Sequence, residues 1–386
     1  MDRIMKYLPL FLRHAIVVIA ITCIGFSGAA LAVETTAKQA IVIDADTGNV
    51  LYAKNADETV GPASMTKMMT IHLLFERLKD GRLSLESELA VSEKAWKMGG
   101  SKMWVEVGKT AKVEDLIRGI VVQSGNDATI VVAEGLAGTE EAFAEEMTQK
   151  AKALGMNGTN FRNASGWPAP DHYTTVRDLA TLAMATIREF PDYYHYYSEK
   201  EFTYSKIKQP NRNPLLYKDL GADGLKTGHT EESGYGLTGS AFRDGRRIVM
   251  VAHGMGSMRE RSEQSARLIS WAFREWGQYA LFESGETVGQ VPVWLGANKT
   301  VPAVVRDRLL VSVPRNARKG MKVKMVHQEA VPGPITKGDE IARLVVSAKG
   351  MEDIEVPLYA GADVGRAGFF GNIGAAISYL LHSLVS

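Results

Sequence analysis

Ala40-Ile41-Val42-Ile43-Asp44, then Asp46-Thr47-Gly48-Asn49, then Val50-Leu51-Tyr52-Ala53, reads as a strand, a turn and a returning strand. Downstream the apolar rhythm changes to a helical period. Residues 65–79 read as a long helix with Gly81 as its stop, and 113–122, 127–137, 140–154 and 175–188 as further helices. Strands return at 237–241 and 247–253, joined by a turn at Asp244-Gly245. Residues 262–276 then read as a closing helix. Hairpins mixed with helices, without repeated β-α-β units, argue an α+β fold for residues 33–277.

From about residue 278 the helical pattern stops. Short apolar runs at 290–295, 308–313, 321–326, 341–347 and 354–359, separated by Gly and Pro, predict a small all-β domain over 278–362. Residues 363–386 differ again. Phe370, Ile373, Ile377, Leu380, Leu381 and Leu384 form a helical stripe broken by Asn372, Ser378 and His382. This predicts an amphipathic helix that lies on a membrane surface rather than crossing it, with a helix docked on the β domain as the alternative.

The first 32 residues read as a secretory signal. Arg3, Lys6 and Arg13 precede an apolar run over 15–25, and Ala30-Leu31-Ala32 supplies a cleavage site; a retained membrane anchor is the alternative, for which the run is short. The one cysteine, Cys23, lies inside this segment, so a processed chain has none and is stabilised by its core alone. A formal charge of +1 over 386 residues, without a long basic run, gives no case for nucleic acid.

Three short motifs carry chemistry. In Ser64-Met65-Thr66-Lys67 a spacing of three places a hydroxyl and an amine on one helical face, at a helix start where free N–H groups favour a developing anion. A lysine among apolar neighbours and a second cation loses its proton more easily and can take that of Ser64. Alone the motif is weak: Ser64 also fits an N-cap, and Ser205-Lys206-Ile207-Lys208 repeats the pattern. In Ser124-Gly125-Asn126, Gly125 suits a tight loop. Ser124 is a candidate proton relay, and Asn126 a partner for Lys67 and a substrate amide; a cap followed by turn residues is the plainer reading. In Lys226-Thr227-Gly228 the lysine and hydroxyl suit a carboxylate, and the glycine leaves room for a peptide along an extended edge. A turn with a solvated lysine is the alternative there.

The ordered triple is the known signature of β-lactamases and penicillin-binding proteins. The chain resembles in particular the low-mass D-alanyl-D-alanine carboxypeptidases among the latter. The resemblance runs through Pro62 to Lys67, Leu116-Ile117-Arg118-Gly119, Gln123 to Ala128, Asn211-Arg212-Asn213, Asp223 to Thr230 and residues 256–271. It covers essentially the processed chain. It implies a β-lactamase/transpeptidase-like catalytic domain, an antiparallel sheet with helices. It also implies a membrane-anchoring C-terminal helix on the periplasmic side of the inner membrane.

The resemblance further implies Ser64, Lys67 and Ser124 as catalytic residues. Asn126, Lys226, Thr227, Gly228, His229 and Arg261 would bind substrate, with the backbone N–H groups of Ser64 and His229 as oxyanion hole. Ser101 and His172 fall on loops that border the cleft in that family. The substrate would be a peptidoglycan stem peptide ending in D-Ala-D-Ala, with β-lactams as covalent inhibitors and no metal or other cofactor. A D,D-endopeptidase shares these motifs. A class A β-lactamase would want an added glutamate, which Asn163-Ala164-Ser165-Gly166-Trp167-Pro168 lacks. A non-catalytic envelope protein has no need of Ser64 and Lys67 together.

Overall fold

The hairpin forms as strands Gln39–Asp44 and Val50–Lys54. In the computed structural model, which describes residues 33–367, it makes one end of a five-stranded antiparallel sheet. The expected signal segment and almost all of the C-terminal stripe lie outside the described residues. Sheet order is Val50–Lys54, Gln39–Asp44, Arg246–Met255, Gly234–Arg243 and Ala222–Thr230. Val42 pairs with Met250, so the first strand closes against one some 200 residues later.

Alternation along that strand explains its unbroken apolar run. Ile41 and Ile43 face the larger core, with Met68, Ile71 and Phe75 of the helix Lys67–Lys79. Ala40 and Val42 face Leu268, Ile269 and Ala272 of the helix Met258–Glu275. Both faces of the strand are covered, so both side-chain sets are apolar. The helix Lys67–Lys79 is buried around nearly its whole circumference, which its run Met68-Met69-Thr70-Ile71-His72-Leu73-Leu74-Phe75 reflects. His72 within it bonds Thr186 Oγ1 at 2.9 Å, and burial pushes its pKa down to about 4.

Three elements differ from the expectation. Residues 65–79 are not one helix: a 3-10 turn, Ala63–Thr66, precedes the α-helix. The closing helix starts at Met258, where Ser257 Oγ accepts from Glu260 N at 3.1 Å, and Trp276 leaves it as a strand. The segment with Lys226-Thr227-Gly228 is itself the edge strand Ala222–Thr230. Its glycines give it low strand propensity, and pairing with Gly234–Arg243 overrides that.

The β-rich region forms a six-stranded sheet, with Trp276–Phe282 and Leu309–Pro314 paired beside it. Val291, Val301, Val311, Leu344 and Leu358 fill its core. Thr300–Val304 and Trp276–Phe282 are strands the sequence did not reveal. Trp276 packs with the closing helix, whereas Tyr279, Leu281 and Phe282 pack on the β core. At this junction the fully buried Asp44 accepts from Arg246 Nε and Ser312 Oγ, both at 2.6 Å.

Candidate active site

Ser64 lies in the 3-10 turn, and Lys67 opens the helix one turn later. The Ser64 turn is braced on both sides. A Cβ on Gly228 of the edge strand would stand 3.0 Å from Pro62 O. A Cβ on Gly166, at φ +80°, would stand 1.8 Å from Ala63 O, so only glycine fits there.

Lys67 is fully buried, and its Nζ has three partners: Ser64 Oγ at 3.0 Å, Asn126 Oδ1 at 2.7 Å and Ser165 O at 2.6 Å. Burial lowers its pKa to about 7, and the Arg212 charge adds to the effect against the opposing pull of Asp127. Amide and peptide oxygens only accept. In the neutral amine the two N–H bonds therefore go to Asn126 and Ser165, and the lone pair is left facing Ser64. That arrangement suits removal of the serine proton.

Asn126 also donates from Nδ2 to Gly99 O at 2.9 Å, and Ser101 O accepts from Asn126 N at 2.7 Å. Ser124, nearly buried at φ +59°, accepts from Lys226 Nζ at 3.0 Å. Its hydroxyl proton stays free to donate elsewhere. Lys226 is 2 % exposed, which rules out a solvated turn lysine. Burial drives its pKa well down, and Lys67, Arg212 and Arg261 add to this. Thr227 is buried next to it.

Arg261 is also buried, over the Tyr235 ring at 5.6 Å, its pKa lowered by burial to about 10. Among the described residues its Nε has no hydrogen-bond partner. His229 stacks on the same ring at 3.9 Å between centroids. Among the described residues Lys67, Lys226, Arg212 and Arg261 form no ion pair with a carboxylate, so the cluster offers a place for an anion. By contrast Ser205 and Lys206 of the second S-x-x-K sit in an exposed turn between Glu201–Tyr204 and Ile207–Pro210.

Three supporting residues carried no role in the sequence reading. Arg212 donates from Nη1 to Ser101 Oγ at 2.6 Å. The Asp127 carboxylate accepts from the backbone N–H groups of Met103, Trp104 and Val105, at 2.8, 2.8 and 3.2 Å, and pins the loop beside Asn126. Asn163 Oδ1 gathers the N–H groups of Ser165, Gly166 and Trp167, which aims the Ser165 carbonyl. Asn and Asp in loops signal turns; nothing local says which turn meets the nucleophile. His172 is placed more plainly. Its Nδ1 accepts from Arg162 N at 3.1 Å, so Nε2 carries the proton and donates to Thr66 Oγ1 at 2.9 Å. Burial lowers its pKa to about 4, so this link holds neutral.

A serine facing a buried amine, on an antiparallel sheet flanked by helices, defines a serine-type hydrolase with a transpeptidase-like catalytic domain. The family model described as D-alanyl-D-alanine carboxypeptidase matches residues 27–257, and the chain belongs to that family. A second model, the C-terminal domain of penicillin-binding protein 5, matches residues 276–366. Among curated relatives, the D-alanyl-D-alanine carboxypeptidase DacA of Haemophilus influenzae is 33% identical over 346 residues, 88% of each chain. The solved penicillin-binding protein 5 of that organism superimposes with TM-score 0.80 at 33% identity, over 86% of this chain and 99% of that one. Penicillin-binding protein D2 of Listeria monocytogenes, solved in an ampicillin-bound form, has TM-score 0.58 at 31% identity, over 62% of this chain and 98% of its own.

Proposed function

We propose that Ser64 is acylated by stem peptides ending in D-Ala-D-Ala, and by β-lactams, with Lys67 as general base. The observation that carries this is the orientation of Lys67 Nζ, whose two N–H bonds are held by Asn126 and Ser165 while its third direction meets Ser64 Oγ. Lys67 takes the hydroxyl proton, and Ser64 Oγ bonds to the carbonyl carbon between the two D-alanines. The N–H groups of Ser64 and His229 stabilise the oxyanion, a contribution of about 3 kcal/mol per donor. The C–N bond breaks, and Lys67 and Ser124 deliver the proton to the departing amine. Water then adds to the acyl carbon, giving a proton to Lys67; the bond from that carbon to Ser64 Oγ breaks, and Lys67 returns the proton to Oγ.

Lys226, Thr227, Arg212 and Arg261 bind the terminal carboxylate, and Asn126 a backbone amide of the peptide, which lies along the edge strand Ala222–Thr230. Loop 163–168 turns a peptide carbonyl, not a carboxylate, toward Lys67. The acid that approaches it, Glu140, accepts from Ala164 N and pairs with Lys94. A penicilloyl group at Ser64 therefore leaves slowly, and β-lactams inhibit.

Labelled penicillin tests the reading: the chain takes up one label, and Ser64→Ala takes up none. Labelling of that variant would overturn it. D-alanine released from a pentapeptide, against cleavage of a cross-linked dimer, separates carboxypeptidase from endopeptidase. We propose further that the chain is exported through residues 1–32 and held on the periplasmic side of the inner membrane by the stripe at 363–386. Removal of the residues after Gly365 should release it from membranes with penicillin binding intact. Retention in the membrane fraction would sink the anchor.

A further inference from the structure

Tryptophan is on average a well-buried residue, yet Trp96 and Trp104 are 45% and 50% exposed and wall one hollow of about 460 Å³. Lys97, Lys102, Val105, Glu106 and Ser205 complete it. The exposure is built in. Trp104 is held at φ +72°, a region that bulky residues avoid, by the Asp127 carboxylate, which takes its N–H and those of its two neighbours. Lys102 Nζ donates to Trp96 O at 2.7 Å and lies 5.8 Å from the centre of the Trp104 ring. Gln209 Nε2 donates to Lys102 O at 3.0 Å, which ties down the hairpin that carries Ser205. A strained backbone that presents a large ring to water points to a ligand.

The loop that walls the hollow also reaches the catalytic cleft. Ser101 O bonds Asn126 N inside the cleft, and Trp104 follows three residues later, within about 10 Å of chain reach. One loop thus has an edge in each place. A stem peptide is covalently joined to a sugar. The four residues between its scissile bond and that sugar span at most about 14 Å. A pyranose ring has an apolar C–H face that suits an indole, and a rim of hydroxyls that suits Ser205, Lys97 and Glu106.

We propose that Trp96 and Trp104 form a saccharide subsite that holds a ring of the glycan strand while its stem peptide occupies Ser64. The proposal rests on the carboxypeptidase reading above and assigns that enzyme a preference for glycan-linked over free peptide.

The test uses the full chain with one pentapeptide, presented free and attached to its disaccharide. Trp104→Ala and Trp96→Ala should raise KM for the disaccharide form about tenfold, the scale of one lost aromatic contact, and leave the free peptide unchanged. Trp104→Phe should restore much of the difference. An oligomer of N-acetylglucosamine should quench tryptophan fluorescence saturably in the native chain and not in the double variant. Equal KM changes on both substrates, or no native preference, would overturn the subsite. Loss of binding to anionic lipid vesicles in the variants, with unchanged oligosaccharide binding, would assign the patch to a membrane and overturn it too. If neither substrate releases D-alanine while the quench persists, the carboxypeptidase reading fails and the saccharide site stands.

Discussion

The carbonyl oxygen of Ser165 lies 2.6 Å from Lys67 Nζ, so a loop about 100 residues away in sequence fixes where this buried amine can point. With Asn126 Oδ1 at 2.7 Å it leaves one direction open, toward Ser64. On the proposed mechanism the neutral amine is the active form, and burial lowers its pKa to about 7. Acylation by penicillin should therefore rise with pH through about 7 and level above it. Lys67→Ala should be slower by at least about 100-fold and lose the inflection. An inflection that survives in that variant belongs to another group.

Asn163→Ala should act through that loop. Its Oδ1 gathers three backbone N–H groups, and their loss lets the Ser165 carbonyl drift and water reach Lys67. Less desolvation raises the amine pKa, so the inflection should move upward while kcat falls about tenfold or more. A fall in kcat with an unmoved inflection would show a merely structural role.

Gly166→Ala should cost about 3 kcal/mol or more in denaturant unfolding, because its Cβ would fall on Ala63 O at a positive φ. A change below about 1 kcal/mol would mean that the loop retreats readily from the Ser64 turn.

Asp44→Ala should destabilise by about 3–5 kcal/mol, since it strands the buried Arg246 guanidinium. The double variant Asp44→Ala, Arg246→Met should recover part of this. Penicillin acylation, measured where both remain folded, should be unchanged, because neither residue touches the Lys67 cluster. Slower acylation would couple the β-domain junction to the site.

Lys226→Gln should slow acylation by about 10-fold to 100-fold, the cost of one charge-assisted contact to the substrate carboxylate, with Tm held or raised. Tm would hold because Lys226 has no carboxylate partner among the described residues, and a buried cation without one favours the folded state little. A large fall in Tm would instead make Lys226 a structural residue.

Local pattern was enough for the elements whose faces are uniform. The strand Gln39–Asp44 and the helix Lys67–Lys79 are apolar because both faces or the whole circumference are covered, and period and length identify them. The start of the closing helix at Met258 was missed because its first turn is polar and only the Ser257 cap marks it. The edge strand Ala222–Thr230 was hidden because its extended form comes from its neighbour, not from its own propensity.

The sequence by itself determined the chemistry on offer: a serine and an amine one helical turn apart, and two further motifs in a diagnostic order. The order of the three motifs already favoured Ser64 over Ser205, and the tertiary structure supplied the physical contrast between the two S-x-x-K serines. Ser64 meets a lysine stripped of water, whereas Ser205 lies in an exposed turn. It also decided that Arg212, Asp127, Asn163 and Ser165 belong to the site. The reason is physical. A pKa, a hydrogen-bond direction and an unpaired cluster of cations depend on groups brought together across the fold, and spacing along the chain carries no record of that proximity.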